Sequence, residues 1–221
     1  MVLLSEPLSQ PVVLLTGFDP FAGDRRNASW AAASILHGRV INGHRVIARQ
    51  LPTTFSGAAP ALMEALDRFR PALVLCVGQA AGRAAIGVER VAVNWVDARI
   101  ADNAGDQPAD CAAIAGAPTA YFCTVPVKAI VAALCADAIP ADVSMSAGTF
   151  VCNHVFFALM HRLATNPPQR GARGGFLHVP SLPEQGQPAL ALERTVAGLK
   201  LAITACLTQG DDIRRPGGTL H

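Results

Sequence analysis

Three polar side chains interrupt or end otherwise apolar segments, and together they have the makings of an amide-cleaving group. The first is Cys152, in Ser146-Ala-Gly-Thr-Phe-Val-Cys152-Asn-His. This run opens a predicted helix and sets the thiol in its first turn. Unpaired backbone N–H groups and the helix dipole favour a thiolate there and could hold an oxyanion. Position alone fits an inert buried cysteine better. The second is His178, which ends the apolar run Gly174-Gly-Phe-Leu-His178-Val-Pro. A thiol needs such a base, because it is mostly protonated at neutral pH; a hydrogen-bonded core histidine fits the position equally well. The third is Glu89, in Val88-Glu89-Arg90-Val91-Ala92-Val93-Asn94. It could orient an imidazole and balance its charge, or simply pair with the adjacent Arg90.

Other arrangements are weaker. His154 lies two residues beyond Cys152 on the same helix, so it points nearly the opposite way. His154 and His161 share a helix face, but no third ligand has metal-site spacing, so no metal is expected. Val77-Gly78-Gln-Ala-Ala-Gly82 lacks the G-x-G-x-x-G spacing, and no phosphate-binding P-loop run is present.

The elements that must position these residues alternate along the chain. Strands are predicted at 12–16, 45–51, 72–77, 142–145 and 175–179, with strand character across 85–100. Helices are predicted at 28–37, 57–69, 128–136, 150–163 and 189–207, the last with Leu192, Val196, Leu199 and Ile203 on one stripe. Residues 101–118 form a Gly/Pro-punctuated excursion, and 209–221 read as a frayed tail. This alternation argues for an open, parallel-type α/β sheet. Ligands then bind at the carboxyl ends of strands, in the loops after Thr16, Val77, Met145 and Leu177. The 221 residues fit one domain, 1–221, with no linker or repeat.

Composition narrows the class further. Hydrophobic residues make up 51% and charged residues 15%, enough for a sheet buried on both faces. The net charge of +2 and the absence of a basic stripe give no support to nucleic-acid or membrane-surface binding. The start, Met1-Val-Leu-Leu-Ser-Glu-Pro, has no secretory n-region or sustained apolar h-region. Six cysteines, at 76, 111, 123, 135, 152 and 206, form no CxxC pair, which points to free thiols in a reducing cytoplasm.

With these residues in view, the chain resembles the pyroglutamyl peptidase I family, peptidase family C15, from Leu14 to about Gln187. The likeness rests on ordered blocks: Leu15-Thr-Gly-Phe-Asp-Pro-Phe21, Gly82-Arg83 through Glu89-Arg-Val-Ala-Val-Asn94, and Asp97-Ala-Arg-Ile100 with Asp102-Asn103. Tyr121-Phe122, Pro126-Val-Lys128, Ser146-Ala-Gly-Thr-Phe-Val-Cys-Asn153, Gly175-Phe-Leu-His-Val-Pro180 and Leu182-Pro-Glu-Gln185 complete them. Mild departures are Cys123 in place of Ser, Ala101 in place of Pro, and Ser181 where an aromatic is commoner.

The resemblance implies a three-layer α/β/α sandwich with a mixed, mostly parallel open sheet, and a Cys-His-Glu triad at Cys152, His178 and Glu89. It implies hydrolysis of N-terminally pyroglutamylated peptides through a thioester, no cofactor, and a cytoplasmic homo-oligomer (dimer or tetramer). Phe18, Phe21, Phe150 and Val151, with Thr53 and Ile100 near, match the family's ring pocket. Asn27 and Gln79 could supply polar groups to the lactam. Arg99 either helps hold the oxyanion or pairs with a carboxylate. The alternatives are an inactive relative that binds capped peptides and, more distantly, a nucleoside-phosphorylase-like enzyme.

Overall fold

The computed structural model describes residues 10–166 and 171–217. The elements run β1 (Val12–Phe18), α1 (Ala28–Ile35), β2 (Val40–Ile41), β3 (His44–Leu51), α2 (Phe55–Phe69), β4 (Leu73–Gln79), β5 (Ile86–Glu89) and β6 (Val91–Val93). They continue through β7 (Ala120–Phe122), α3 (Val127–Ala136), β8 (Ala141–Ser144), α4 (Val151–Thr165), β9 (Arg173–Val179) and α5 (Leu192–Thr208). A 3-10 turn occupies Pro183–Gln185. The strands order as β2-β3-β1-β4-β9-β5-β8, and β6 and β7 pair separately. The central pairs β3–β1, β1–β4 and β4–β9 are parallel, whereas β5 runs antiparallel to β9 and parallel to β8.

Alternation along the central strands sorts side chains into two cores. Val13, Leu15, Leu73, Leu75, Val77 and Leu177 pack with α1, α3 and α5 on one face. Val12, Leu14, Phe18, Val74, Cys76 and Phe176 pack with α2 and α4 on the other. The α/β/α sandwich with a mostly parallel mixed sheet is therefore present. Strand character in 85–100 ends at Val93; beyond it the chain is irregular, tied by an isolated bridge between Val96 and Cys111.

The loops at the carboxyl edge are knitted together by carboxylates. Asp19 Oδ1 accepts from Thr53 N at 2.7 Å and Thr53 Oγ1 at 2.6 Å, and Asn103 Nδ2 donates to the Pro20 carbonyl at 2.9 Å. Asp102 is buried and receives Phe55 N at 2.7 Å, Ala104 N at 2.8 Å and Asp106 N at 2.9 Å. It thus caps α2 and folds the excursion onto the helix start. Burial alone would raise its pKa, but the N–H groups of Phe55, Asp106, Ala104 and Gly105 outweigh it and hold the carboxyl below its usual value.

A carboxylate whose folded pKa is depressed stabilises above the unfolded pKa, and that stability is lost as pH falls through the folded value. Asp102→Asn is therefore expected to cost about 2 kcal/mol near neutrality, the scale of hydrogen bonds to a charged group. Urea unfolding at about pH 7 and about pH 3 checks this. The gap to the parent chain must narrow in acid; a gap that stays constant assigns the loss to packing.

At the other end of the fold, the stretch whose composition suggests fraying is held at Asp212. Its carboxylate accepts from Lys128 N at 2.9 Å and Ala129 N at 3.0 Å, capping α3, and pairs with Arg90 at 3.4 Å. Residues 218–221 of that stretch, and the start at 1–9, lie outside the described residues.

Candidate active site

Strand parity decides which polar side chains can meet. Phe176 belongs to the α2/α4 core, so His178, two residues on, faces α4 as well. In β5, Ile86 and Val88 pack on the opposite core, which leaves Gly87 and Glu89 on the α4 side. Register places Glu89 opposite Phe176 and Gly87 opposite His178. The Glu89 carboxylate thus reaches diagonally towards the imidazole. His178 Nδ1 and Glu89 Oε1 are 2.8 Å apart, and both residues are buried.

Cys152 arrives from above, in the first turn of α4. This helix is fixed by its buried Val151, Val155, Phe156, Leu159 and Met160. It is also clamped by Asn153, whose side chain accepts from Val93 N at 3.1 Å and donates to the carbonyls of Val93 at 2.9 Å and Trp95 at 3.0 Å. Gly78, on the same face of β4, marks where the groups converge. A Cβ placed there would lie 2.8 Å from Cys152 Sγ, 3.0 Å from Phe176 Cζ and 3.1 Å from His178 Cδ2. The thiol and the imidazole therefore share the hollow that the missing side chain leaves.

Gly78→Ala is expected to force both groups aside and to cut turnover about a hundredfold, the scale of an ångström-sized misplacement. Steady-state kinetics beside a thermal melt checks it. Unchanged kinetics would mean that the thiol and the imidazole do not work together.

Burial, then the Glu89 carboxylate, push the Cys152 thiol up to about 12. First-turn placement alone therefore does not lower it. No side chain caps α4 at Phe150, so its first-turn N–H groups have no capping side-chain acceptor.

Glu89 does not pair with Arg90, its sequence neighbour, which pairs instead with Asp212. The partner that sequence reasoning leaves out is Arg83, whose Nη1 lies 3.0 Å from Glu89 Oε1. It could have been sought as the one cation near the start of β5, but loop conformation decides its reach.

The expected pocket residues separate into groups. The Phe21 and Phe150 rings meet tilted at 45°, with centroids 5.3 Å apart, and Phe55, also absent from the sequence reading, meets Phe150 edge-on at 5.2 Å. Phe18 lies beneath, buried and 6.5 Å from the Phe176 ring, and Val151 is wholly buried. Thr53 is held by Asp19, whereas Ile100 and Arg99 are exposed. Arg99 joins none of the ion pairs among the described residues. Asn27 caps α1, its Oδ1 accepting from Ser29 N at 3.1 Å and Ser29 Oγ at 2.7 Å. Gln79 supports the same helix start, its Oε1 accepting from Ala28 N at 2.7 Å. Both amide oxygens are thus engaged in building the loop.

His154 stands against Phe55 at 5.7 Å, and burial lowers its pKa. His161 is hydrogen-bonded to Tyr121 Oη at 2.9 Å. Among the described residues no cluster of three His, Cys, Asp or Glu could hold a metal.

Known proteins share both the sequence and this arrangement of elements. A family model described as pyroglutamyl peptidase matches residues 12–209. A pyrrolidone-carboxylate peptidase of Cupriavidus taiwanensis is 54% identical over 216 residues, covering 96% of this chain and 100% of the relative. One of Bacillus cytotoxicus is 50% identical over 214 residues, covering 95% and 99%. Pyroglutamyl peptidase I from Bacillus amyloliquefaciens superimposes with a TM-score of 0.90 at 41% identity, over 94% of this chain and 100% of that one. Pyrrolidone carboxyl peptidase from Thermococcus litoralis does so with 0.89 at 36% identity, over 93% and 99%. Nearly the whole chain is matched in each case, on one fold, and on that ground the chain belongs to the pyroglutamyl peptidase family.

Proposed function

We propose that this chain is a cysteine peptidase that hydrolyses the amide bond after an N-terminal pyroglutamyl residue, with Cys152, His178 and Glu89 as its catalytic triad. The observation that carries the reading is the buried His178–Glu89 pair, with Cys152 Sγ and the His178 ring both set against Gly78.

His178, held by Glu89 through Nδ1, uses its other ring nitrogen to take the proton of Cys152. The sulfur bonds to the pyroglutamyl carbonyl carbon, and the carbonyl electron pair moves onto oxygen, where α4 N–H groups receive it. The oxyanion collapses, the C–N bond breaks, and the leaving amine takes the proton from His178. Water then gives a proton to His178 and adds to the thioester. When this second intermediate collapses, the sulfur leaves, reclaims the proton, and pyroglutamic acid is released.

Phe21, Phe55 and Phe150 suit the apolar ring of a neutral lactam. The proposal extends to a homo-oligomer, supported by the exposed Phe122 of β7 and Trp95 just beyond β6. It also extends to a reducing cytoplasm, supported by the free state of all six cysteines. No helix among the described residues is long and apolar enough to cross a membrane.

The test is release of a fluorophore from pyroglutamyl, prolyl and glutaminyl amides by the purified chain. Turnover is expected for the first alone. Proline leaves unpaired the groups that await a lactam carbonyl, and glutamine brings an ammonium that must lose its water. Binding of the pyroglutamyl amide without turnover would make this an inactive relative. Equal cleavage of the prolyl amide would reject the lactam pocket.

A further inference from the structure

Glu89 is a fully buried carboxylate at the centre of the site, and the imidazole is not its only partner. Its Oε1 is shared by His178 Nδ1 at 2.8 Å and Arg83 Nη1 at 3.0 Å, while Oε2 has no hydrogen-bond partner among the described residues. The guanidinium reaches Oε1 over Gly87, where a Cβ would lie 2.5 Å from Arg83 Nη1. Gly87 is the register partner of His178, so the cation crosses the strand directly beside the imidazole. Arg83 also donates to Ser144 Oγ and the Ser146 carbonyl, each at 3.4 Å. Ser146 Oγ in turn accepts from Gly148 N at 3.1 Å, inside the loop that leads into α4 and Cys152.

We infer that Arg83 is a positioning residue for the triad: its guanidinium fixes Glu89 Oε1 against His178, balances that buried charge, and ties it to the loop that carries Cys152. The inference rests on the triad reading above. A buried carboxylate without a compensating cation is costly, and a neutral imidazole supplies no charge. Planar geometry lets one guanidinium serve the carboxylate and the loop together, which an ammonium matches only in part.

The groups around the pair are few. Arg83 stands on the solvent side of Glu89, and Cys152 comes from α4. Cys76 of β4 packs in the same core as Cys152 and is held uncharged by burial, and Asp142 of β8 lies near Gly87 on the Arg83 side. A proton added to the Cys152–His178 pair is attracted by Glu89 and repelled by Arg83. Without the repelling charge, the protonated and inactive form persists to higher pH.

The experiment compares kcat/KM against pH for the parent chain, Arg83→Gln and Arg83→Lys with a pyroglutamyl amide. Arg83→Met supplies a second neutral variant if the glutamine variant does not fold. In the neutral variants the acid limb is expected to move up by about one pH unit, as for a charge a few ångströms away. At pH values below the limb, turnover is therefore about tenfold lower than in the parent chain, with KM little changed. Arg83→Lys keeps the limb of the parent chain and recovers most of kcat.

An unmoved limb in the neutral variants overturns the inference, even if activity falls, because packing loss alone does not move it. A lysine variant as displaced as the neutral ones also overturns it. Iodoacetamide on the parent chain separates the two readings. If activity survives full alkylation of Cys152, the triad reading fails and this inference with it. If alkylation abolishes activity and the limb does not move, only the role of Arg83 is lost.

Discussion

Cys152→Ser is expected to lower kcat/KM for a pyroglutamyl amide by at least about a thousandfold while leaving the melting temperature nearly unchanged. The hydroxyl occupies almost the same volume beside Gly78, so the packing against Phe176 and His178 persists. What changes is the nucleophile. The thiol of Cys152 already holds its proton tightly in its desolvated place, and an alcohol holds its own more tightly and attacks more slowly. Kinetics on the purified variant, beside a thermal melt, measures both. Substantial turnover in the serine variant, or equal loss on replacing its buried neighbour Cys76, would place the chemistry on another thiol.

His178→Ala should match that loss, because in the proposed triad it removes the base that takes the Cys152 proton. Glu89→Gln should cost less, about a hundredfold, the scale of one acid–base contribution. The glutamine still reaches Nδ1 but leaves the nearby Arg83 guanidinium facing a neutral amide. Residues that act as one unit do not lose activity independently. The double variant Cys152→Ser with His178→Ala should therefore be little worse than either alone. Losses that multiply across the pair would show that thiol and imidazole serve separate steps.

Much of this site is legible in the sequence because it follows from alternation. Apolar runs with one odd polar residue give away Glu89 and His178, and parity explains why both face α4 once the strands are in register. The central strands and the five helices lie close to where periodicity puts them. Strand direction is less legible. Because β5 and β8 oppose β9, Ser144 ends level with Glu89 and Phe176, not beyond His178. The loop after Met145 must cross back over the sheet before α4 begins, and no local pattern encodes that.

Partner choice is also set by distance in space. Arg90 is next to Glu89 in sequence, yet alternation turns it away, and it meets Asp212 from the far end of the chain. Asn27 and Gln79 look like ligand groups by type and place. Each has its oxygen committed to the start of α1, a demand visible only when the helix end is seen without other acceptors. Phe55 is missed because it falls just before the predicted helix 57–69, with no local pattern to mark it; the structure starts the helix at Phe55 and sets its ring edge-on to Phe150.

The desolvated thiol of Cys152 also bears on how the enzyme meets reactive small molecules. Hydrogen peroxide and simple electrophiles attack thiolates, so a cysteine whose thiol is pushed up by desolvation is a slow target for both. Cys111 and Cys135 are exposed and would be modified first. Oxidative stress would then mark the surface of the protein before it stopped the reaction. A selective inhibitor needs the reverse order. On the proposed triad, it would first fill the aromatic pocket as a lactam and present its electrophilic carbon to the sulfur, with His178 taking the proton only as the bond forms. Reactivity would then depend on shape, and weak electrophiles carrying a pyroglutamyl ring should outperform strong ones without it.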